Sequence, residues 1–289
     1  MSVTVLTELA TADHSAAQLA GKRPRRRTLR RRALGVVVPL ALLGVWFAVS
    51  AGGAISISIL PPPQRVATAA WEFFFGDSRV TLPGVVPFVG SGGLHIGASV
   101  VRCLVSFALA IVVGVIVGLG LGLSRWVSDL LDPLVNALRA VPLYAWLPIA
   151  LVWFGIGETA ARVLIFIGAL WPVLIATADG VGRVPRGHIE TARMLGTPGR
   201  RLWRRVYLPS ALPEIVTGLR LSLTLAWMCV IVGELTGTTT GVGAMMNAAR
   251  ESGRIDQIVV GMLVFAVIGL IADLLLRMIA RPFIRWSQT

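Results

Sequence analysis

Residues 98–122, ASVVRCLVSFALAIVVGVIVGLGLG, run for 25 positions with few polar side chains. As a helix that length crosses the roughly 30 Å hydrocarbon layer of a bilayer. Outward from it, further apolar runs lie near 33–51, 140–156, 161–178, 213–236 and 257–280. The chain is therefore predicted to be an all-α integral membrane protein with about six transmembrane helices. The third run contains Pro142 and Pro148, which are tolerated where neighbouring helices satisfy the freed carbonyls. Composition agrees. Of 289 residues, 55% are hydrophobic and 14% charged, with a mean hydropathy of +0.79, against about a quarter charged in soluble domains.

The net charge of +13 would suit nucleic acid, but the positions of the charges exclude that reading. Of the 27 Lys and Arg, eight lie in 22–32 and seven in 183–205. Arg125 and Arg139 flank the second connection, and Arg277, Arg281 and Arg285 follow the last run. The intervening connections hold only Arg65 and Arg79, Arg162, and Arg250 and Arg254. This alternation places both the N- and C-termini in the cytoplasm, and the basic excess meets anionic membrane lipid. The first apolar run is long for a signal peptide and has no small-x-small cleavage site close behind it, so it reads as an uncleaved span. Residues 1–30 read as a basic, disordered cytoplasmic tail and residues 31–289 as one transmembrane domain.

The long connection at 52–97 holds a short helix, Pro63 to Phe75. Its Trp71, Phe73, Phe74 and Phe75 suit either the bilayer interface or the outer ends of the spans. Gly114, Gly118 and Gly122 recur every four residues inside an apolar run, the spacing of close helix packing rather than of a phosphate loop. Cys103 and Cys229 read as small buried hydrophobes.

Several chemistries are missing. The one lysine, Lys22, sits in no P-loop, so the chain carries no Walker A site. His14, His95 and His188 lack metal-ligand spacing and nucleophile partners, so each reads as a solvated or capping residue. No metal site and no catalytic residue is expected. Intramembrane acids are candidates for function by default. Glu158, Asp179 and Glu214 fall at span ends where water reaches them, which leaves Glu234 and Asp273.

Residues 180–213, GVGRVPRGHIETARMLGTPGRRLWRRVYLPSALP, break the apolar pattern. Arg186 to Leu195 reads as a short helix with Ile189, Ala192 and Leu195 on one face. Gly196 allows a left-handed turn, and Pro198 opens a second helix running to Tyr207. Leu208-Pro209 is expected to end that helix before the next span. The result is a helix–turn–helix elbow with an apolar knob bordered by arginines, suited to a groove on a soluble partner. Pinned between two spans, it is badly placed to enter a DNA groove.

The pattern Glu190-Thr191-Ala192, Gly196 and Leu208-Pro209 resembles the E-A-A…G…L-P cytoplasmic loop of the membrane subunits of binding-protein-dependent ABC importers, with Thr191 in place of the first Ala. The resemblance covers roughly residues 59–286. Leu60-Pro61-x-Pro63, His95-x-x-x-Ser99-x-x-Arg102, Leu131-Asp132-Pro133, Phe154-Gly155-Ile156-Gly157-Glu158, Thr217-Gly218-Leu219-Arg220, Gly233-Glu234, Gly241-x-Gly243 and Gly269-Leu270-x-x-Asp273 are similar to the nitrate/sulfonate/taurine-type permeases. In the fourth span Trp171-Pro172-Val173 and Ala176-Thr177 stand where related permeases commonly have F-P-I and N-T.

The resemblance implies a type I importer permease fold in a bacterial inner membrane. It implies a permease homodimer, or a dimer with a paralogue, that carries a small anion such as a sulfonate, taurine or nitrate. Two ABC ATPase subunits would hold the ATP and magnesium, this chain binding no cofactor itself, and a periplasmic or lipid-anchored binding protein would deliver the solute. Glu190, Thr191, Ala192, Leu195, Gly196, Leu208 and Pro209 would form the ATPase-coupling loop. Trp227, Met228 and Glu234, in the span next to the elbow, are candidates for the translocation pathway. The rival readings are an ion-coupled secondary transporter using Glu234 and Asp273, and a membrane scaffold with no transport role.

Overall fold

A computed structural model describes residues 25–52, 56, 59–76 and 88–284. All regular structure among them is helical: α1 (Arg25–Ala51), α2 (Pro63–Phe75), α3 (Gly92–Leu123), α4 (Arg125–Ala140), a 3-10 turn (Leu143–Ala145), α5 (Trp146–Phe154) and α6 (Glu158–Gly182). The chain continues through α7 (Arg186–Met194), α8 (Gly199–Leu202), a π-helical turn (Trp203–Tyr207), α9 (Leu208–Glu234), α10 (Val242–Glu251) and α11 (Ile255–Ile284). It divides at Pro63 into two units. In the first, α1 starts at Arg25, so the last six residues of the tail expected over 1–30 are helical, and residues 1–24 lie outside the described residues. Trp46 Nε1 donates to Pro61 O at 3.1 Å within this unit.

In the second unit α6 lies between α3 and α9. Ala160, Ala161, Leu164, Ile165, Ala169 and Val173 of α6 are completely buried. Lipid chains are as apolar as leucine, so close van der Waals packing through small residues holds such helices together. Gly118 packs so near α6 that a Cβ there would lie 2.6 Å from Leu174 O, and one at Gly122 would lie 2.8 Å from Ala178 O. The four-residue glycine spacing thus marks the α3–α6 contact. On the other side Ser222 Oγ of α9 donates to Ala169 O at 2.5 Å, a buried bond between two spans.

Four helices among the described residues are long and apolar enough to cross a bilayer: Gly92–Leu123, Glu158–Gly182, Trp203–Glu234 and Ile255–Arg281. The expected third span, 140–156, is not one straight helix. Arg125–Ala140 and Leu143–Phe154 form a pair bent by 88°, making a fifth span if counted together. Pro142 is the cause. The residue before a proline is driven out of the helical region, and Val141 is extended at φ −71°, ψ 120°. The nine residues of α5 would reach only about 13 Å alone. The first expected span, 33–51, lies within the continuous helix α1, Arg25–Ala51.

Helix α2 matches the sequence reading, Pro63 to Phe75. Its aromatics divide between the two readings: Phe73 is fully buried, whereas Trp71 and Phe75 are exposed.

Candidate functional site

The elbow is built as its sequence suggests in its first half and differently in its second. Helix α7 ends in a Schellman motif, with Gly196 N donating to Arg193 O at 2.9 Å and Thr197 N to Ala192 O at 3.1 Å. That closure needs a left-handed residue, and Gly196 supplies it at φ +69°. Glu190 and Thr191 are exposed, and Ala192 is half-buried. Met194 and Leu195 at the tip are 86% and 80% exposed, an apolar knob with no partner among the described residues.

Leu208-Pro209 does not end the second helix. The π turn carries it directly into α9, with Leu208 N bonded to Trp203 O five residues back. The wider i→i−5 turn accommodates the missing N–H and the ring of Pro209, which sits in the first turn of α9. Trp203 and Tyr207 pack on the buried cluster of Val181, Ala211 and Ile215, and Leu202 is buried as well. At the elbow's base Arg183 reaches Asp179 at 3.4 Å and Glu214 at 3.6 Å. These half-exposed pairs contribute under about 1 kcal/mol each. The apolar anchor and the continuous helix therefore make the elbow's second arm and the span one element.

At the other end of the bundle, about 37 Å away along the 25 residues of α6, lies a buried polar cluster. His95, Ser99 and Arg102 are spaced by four and three, which places them on one face of α3. Their exposures are 2%, 0% and 2%. Arg102 donates from Nε to Glu158 Oε2 at 2.9 Å, from Nη2 to Glu158 Oε1 and to Thr240 O at 3.1 Å, and from Nη1 to Glu234 Oε1. Glu234, 1% exposed, also accepts from Gly243 N at 2.7 Å and from the Ser99 hydroxyl. Val242 N donates to Ser99 Oγ at 2.9 Å, and His95 Nδ1 lies 3.1 Å from the Gly241 amide.

Local sequence brings these groups together. Gly155 and Gly157 adopt φ +75° and +128°, turning the chain so that Glu158 starts α6, where the helix dipole favours an acid. Glu234 ends α9, and the chain returns through Gly241, at φ +124°. Sequence reasoning missed this cluster by taking His95 for a solvated or capping residue; Glu158 does lie at a water-exposed span end, 42% exposed, while also pairing with Arg102. The available signal was an arginine inside an apolar run, with a histidine and a serine on its own helix face.

The three candidate pathway residues have unlike surroundings. Trp227 Nε1 donates to Phe265 O at 3.0 Å and its ring packs 5.2 Å from that of Phe265, tying α9 to α11. Met228 is 60% exposed, and Glu234 is sealed in the cluster. Asp273, paired with Glu234 in the ion-coupled reading, is held by Arg277 at 2.5 Å and Arg220 at 3.7 Å. Cys103 and Cys229 are buried and unbridged. Among the described residues no group of three or more His, Cys, Asp or Glu could hold a metal ion.

Apolar spans around a central helix, with a rigid elbow at one end and an arginine-locked cluster at the other, define a component of a membrane transporter. The family model of binding-protein-dependent transport system inner membrane components matches residues 110–285. An aliphatic-sulfonates transport permease of Escherichia coli K12 is 37% identical over 252 residues, covering 86% of this chain and 90% of the relative. A bicarbonate transport system permease of Synechococcus elongatus is 33% identical over 270 residues, covering 90% of each. The methionine ABC transporter MetNI, in inward-facing conformations, shares the fold at a TM-score of 0.55 and 22% identity, over 65% of this chain and 93% of that one. The chain belongs to this family of inner-membrane components and is a permease subunit of an ABC importer.

Proposed function

We propose that the elbow at 180–213 receives the motion of a separate ATPase and that the spans carry a small oxyanion. The observation that carries this is the exposure of Met194 and Leu195, 86% and 80%, at the end of a capped helix that turns at Gly196 into a second helix continuous with α9. Large apolar side chains left in solvent mark a partner site, and a rigid lever transmits displacement where a floppy loop would absorb it. Two ATPase subunits, each holding ATP and magnesium, take one elbow apiece from a permease pair. Glu190 faces basic groups of the ATPase groove, Ala192 permits close approach, Gly196 fixes the elbow angle, and Leu208-Pro209 joins the lever to the span. The arginine count supports a cytoplasmic elbow. A binding protein outside delivers the solute.

An oxyanion solute is supported by what the relatives' names state, sulfonates in one case and bicarbonate in another. The ion-coupled reading is weaker, because the chain belongs to the binding-protein-dependent family and because Glu234 and Asp273 are each held in an ion pair with arginine. The test is Glu190→Arg and Gly196→Pro. Both variants should insert normally yet lose stimulated ATPase activity and co-purification with the ATPase. Survival of both properties in both variants overturns the coupling role.

A further inference from the structure

Two contiguous troughs run along α6 and α9, one of about 210 Å³ and one of about 450 Å³. They share Arg139, Gly168, Trp171 and Leu225. Gly168 and Trp171 lie near the midpoint of the 25-residue α6, so Arg139 lines troughs that extend to the middle of a span. Arg139 sits in the last turn of α4, just ahead of the 88° break.

Arg139 has no ion pair or hydrogen-bond partner among the described residues. In this it differs from the other charged groups along the wide trough. Arg183 pairs with both Asp179 and Glu214 near the elbow. A guanidinium at mid-span costs a few kcal/mol and persists where it faces a watery cavity or an opposite charge. Trp146 also lines the narrow trough, and its indole Nε1–H is buried with no acceptor. Buried donors without acceptors are costly. Fixed donors with no carboxylate between them suit a ligand that brings only acceptor oxygens, and the planar guanidinium fork matches an oxyanion. Trp171 and Leu225 offer an apolar wall for a short alkyl group.

We propose that the trough at the α4–α5 break is the oxyanion subsite of the translocation pathway, with Arg139 as its anion-contacting residue and the Trp146 N–H as a second donor. This rests on the reading of the solute as a small oxyanion. Occupied, the site supplies the guanidinium with its missing countercharge, and the solute leaves when the spans rearrange.

The test uses the whole importer: this chain with its ATPase in proteoliposomes, its binding protein supplied, and methanesulfonate, taurine and bicarbonate as labelled probes. For whichever probe the wild type imports, Arg139→Gln lowers the saturated uptake rate at least about tenfold and leaves the half-saturating concentration of loaded binding protein unchanged. ATP hydrolysed per solute imported rises. Arg139→Lys keeps the charge without the fork and loses about threefold. Import by Arg139→Gln at the wild-type rate overturns the subsite while leaving the transport reading intact. Failure of the wild type to import any of the three probes overturns the oxyanion reading and the subsite with it. If Arg139→Gln does not co-elute with the ATPase, Arg139→Lys decides, and wild-type uptake by that variant overturns the proposal.

Discussion

Arg102 of α3 donates its Nε–H to Glu158 Oε2 across 2.9 Å, joining residues 56 positions apart in sequence. The same guanidinium holds Glu234, 132 positions away. One side chain thus ties the start of α6 and the end of α9 to α3.

Removing Arg102 should therefore be costly. Arg102→Met leaves Glu234 buried without its countercharge, a change that destabilises proteins by about 3–5 kcal/mol. The Arg102→Met/Glu234→Met double variant should recover most of that loss, because an apolar pair replaces a fully desolvated ionic one. Unfolding in detergent measures both. A single-variant loss below about 1 kcal/mol would show that the pairing stabilises nothing.

Gly241→Ala should destabilise the same end by a separate route. The backbone there is at φ +124°, and a Cβ would overlap the Glu234 carboxylate. Strain in this region costs about 1–3 kcal/mol, and displacement of Glu234 adds to it. Gly93→Ala, where a Cβ would meet nothing within 4 Å, is the control, and a melting temperature equal to it would contradict the crowding.

Leu195→Asp separates docking from folding. With 80% of the side chain exposed, stability should change by no more than about 0.5 kcal/mol. Association with the ATPase should fall at least about tenfold, as expected for an apolar anchor at the centre of a contact. Pull-down alongside thermal unfolding checks both, and intact association would remove the knob from the coupling surface.

Uptake should also be indifferent to the proton gradient. Glu234 and Asp273 are both held by arginine, so an uncoupler should leave ATP-driven import within about twofold of its starting rate, whereas depleting ATP should abolish it. Collapse of import with the uncoupler while ATP is maintained would favour ion coupling.

The elbow was largely legible in advance because its signals are local. Gly196 closes α7, and Glu190-Thr191-Ala192 lies on a helix that the spacing alone implies. Arg220 and Asp273 meet as well, at 3.7 Å, an ordinary pairing for charges near a span. Pro209 misled because a proline at a helix start reads as a stop, whereas the π turn at 203–207 gives it room. Pro142 misled in the opposite direction: hydropathy averages over a window and registers an apolar run without its bend.

By itself the sequence determined that the chain lives in a bilayer, where its glycine-spaced helices pack, and where the apolar pattern gives way to a capped helical elbow. Each of these depends on residue type and short-range periodicity, which the chain carries in every conformation. Only the tertiary structure decided that His95, Ser99, Arg102 and Glu234 meet in one buried cluster with the half-exposed Glu158 at its edge, and that Arg139 lines a trough beside the middle of α6 without an ion pair. Desolvation and ion pairing depend on which groups meet in space, and here those groups come from helices 56 to 132 residues apart.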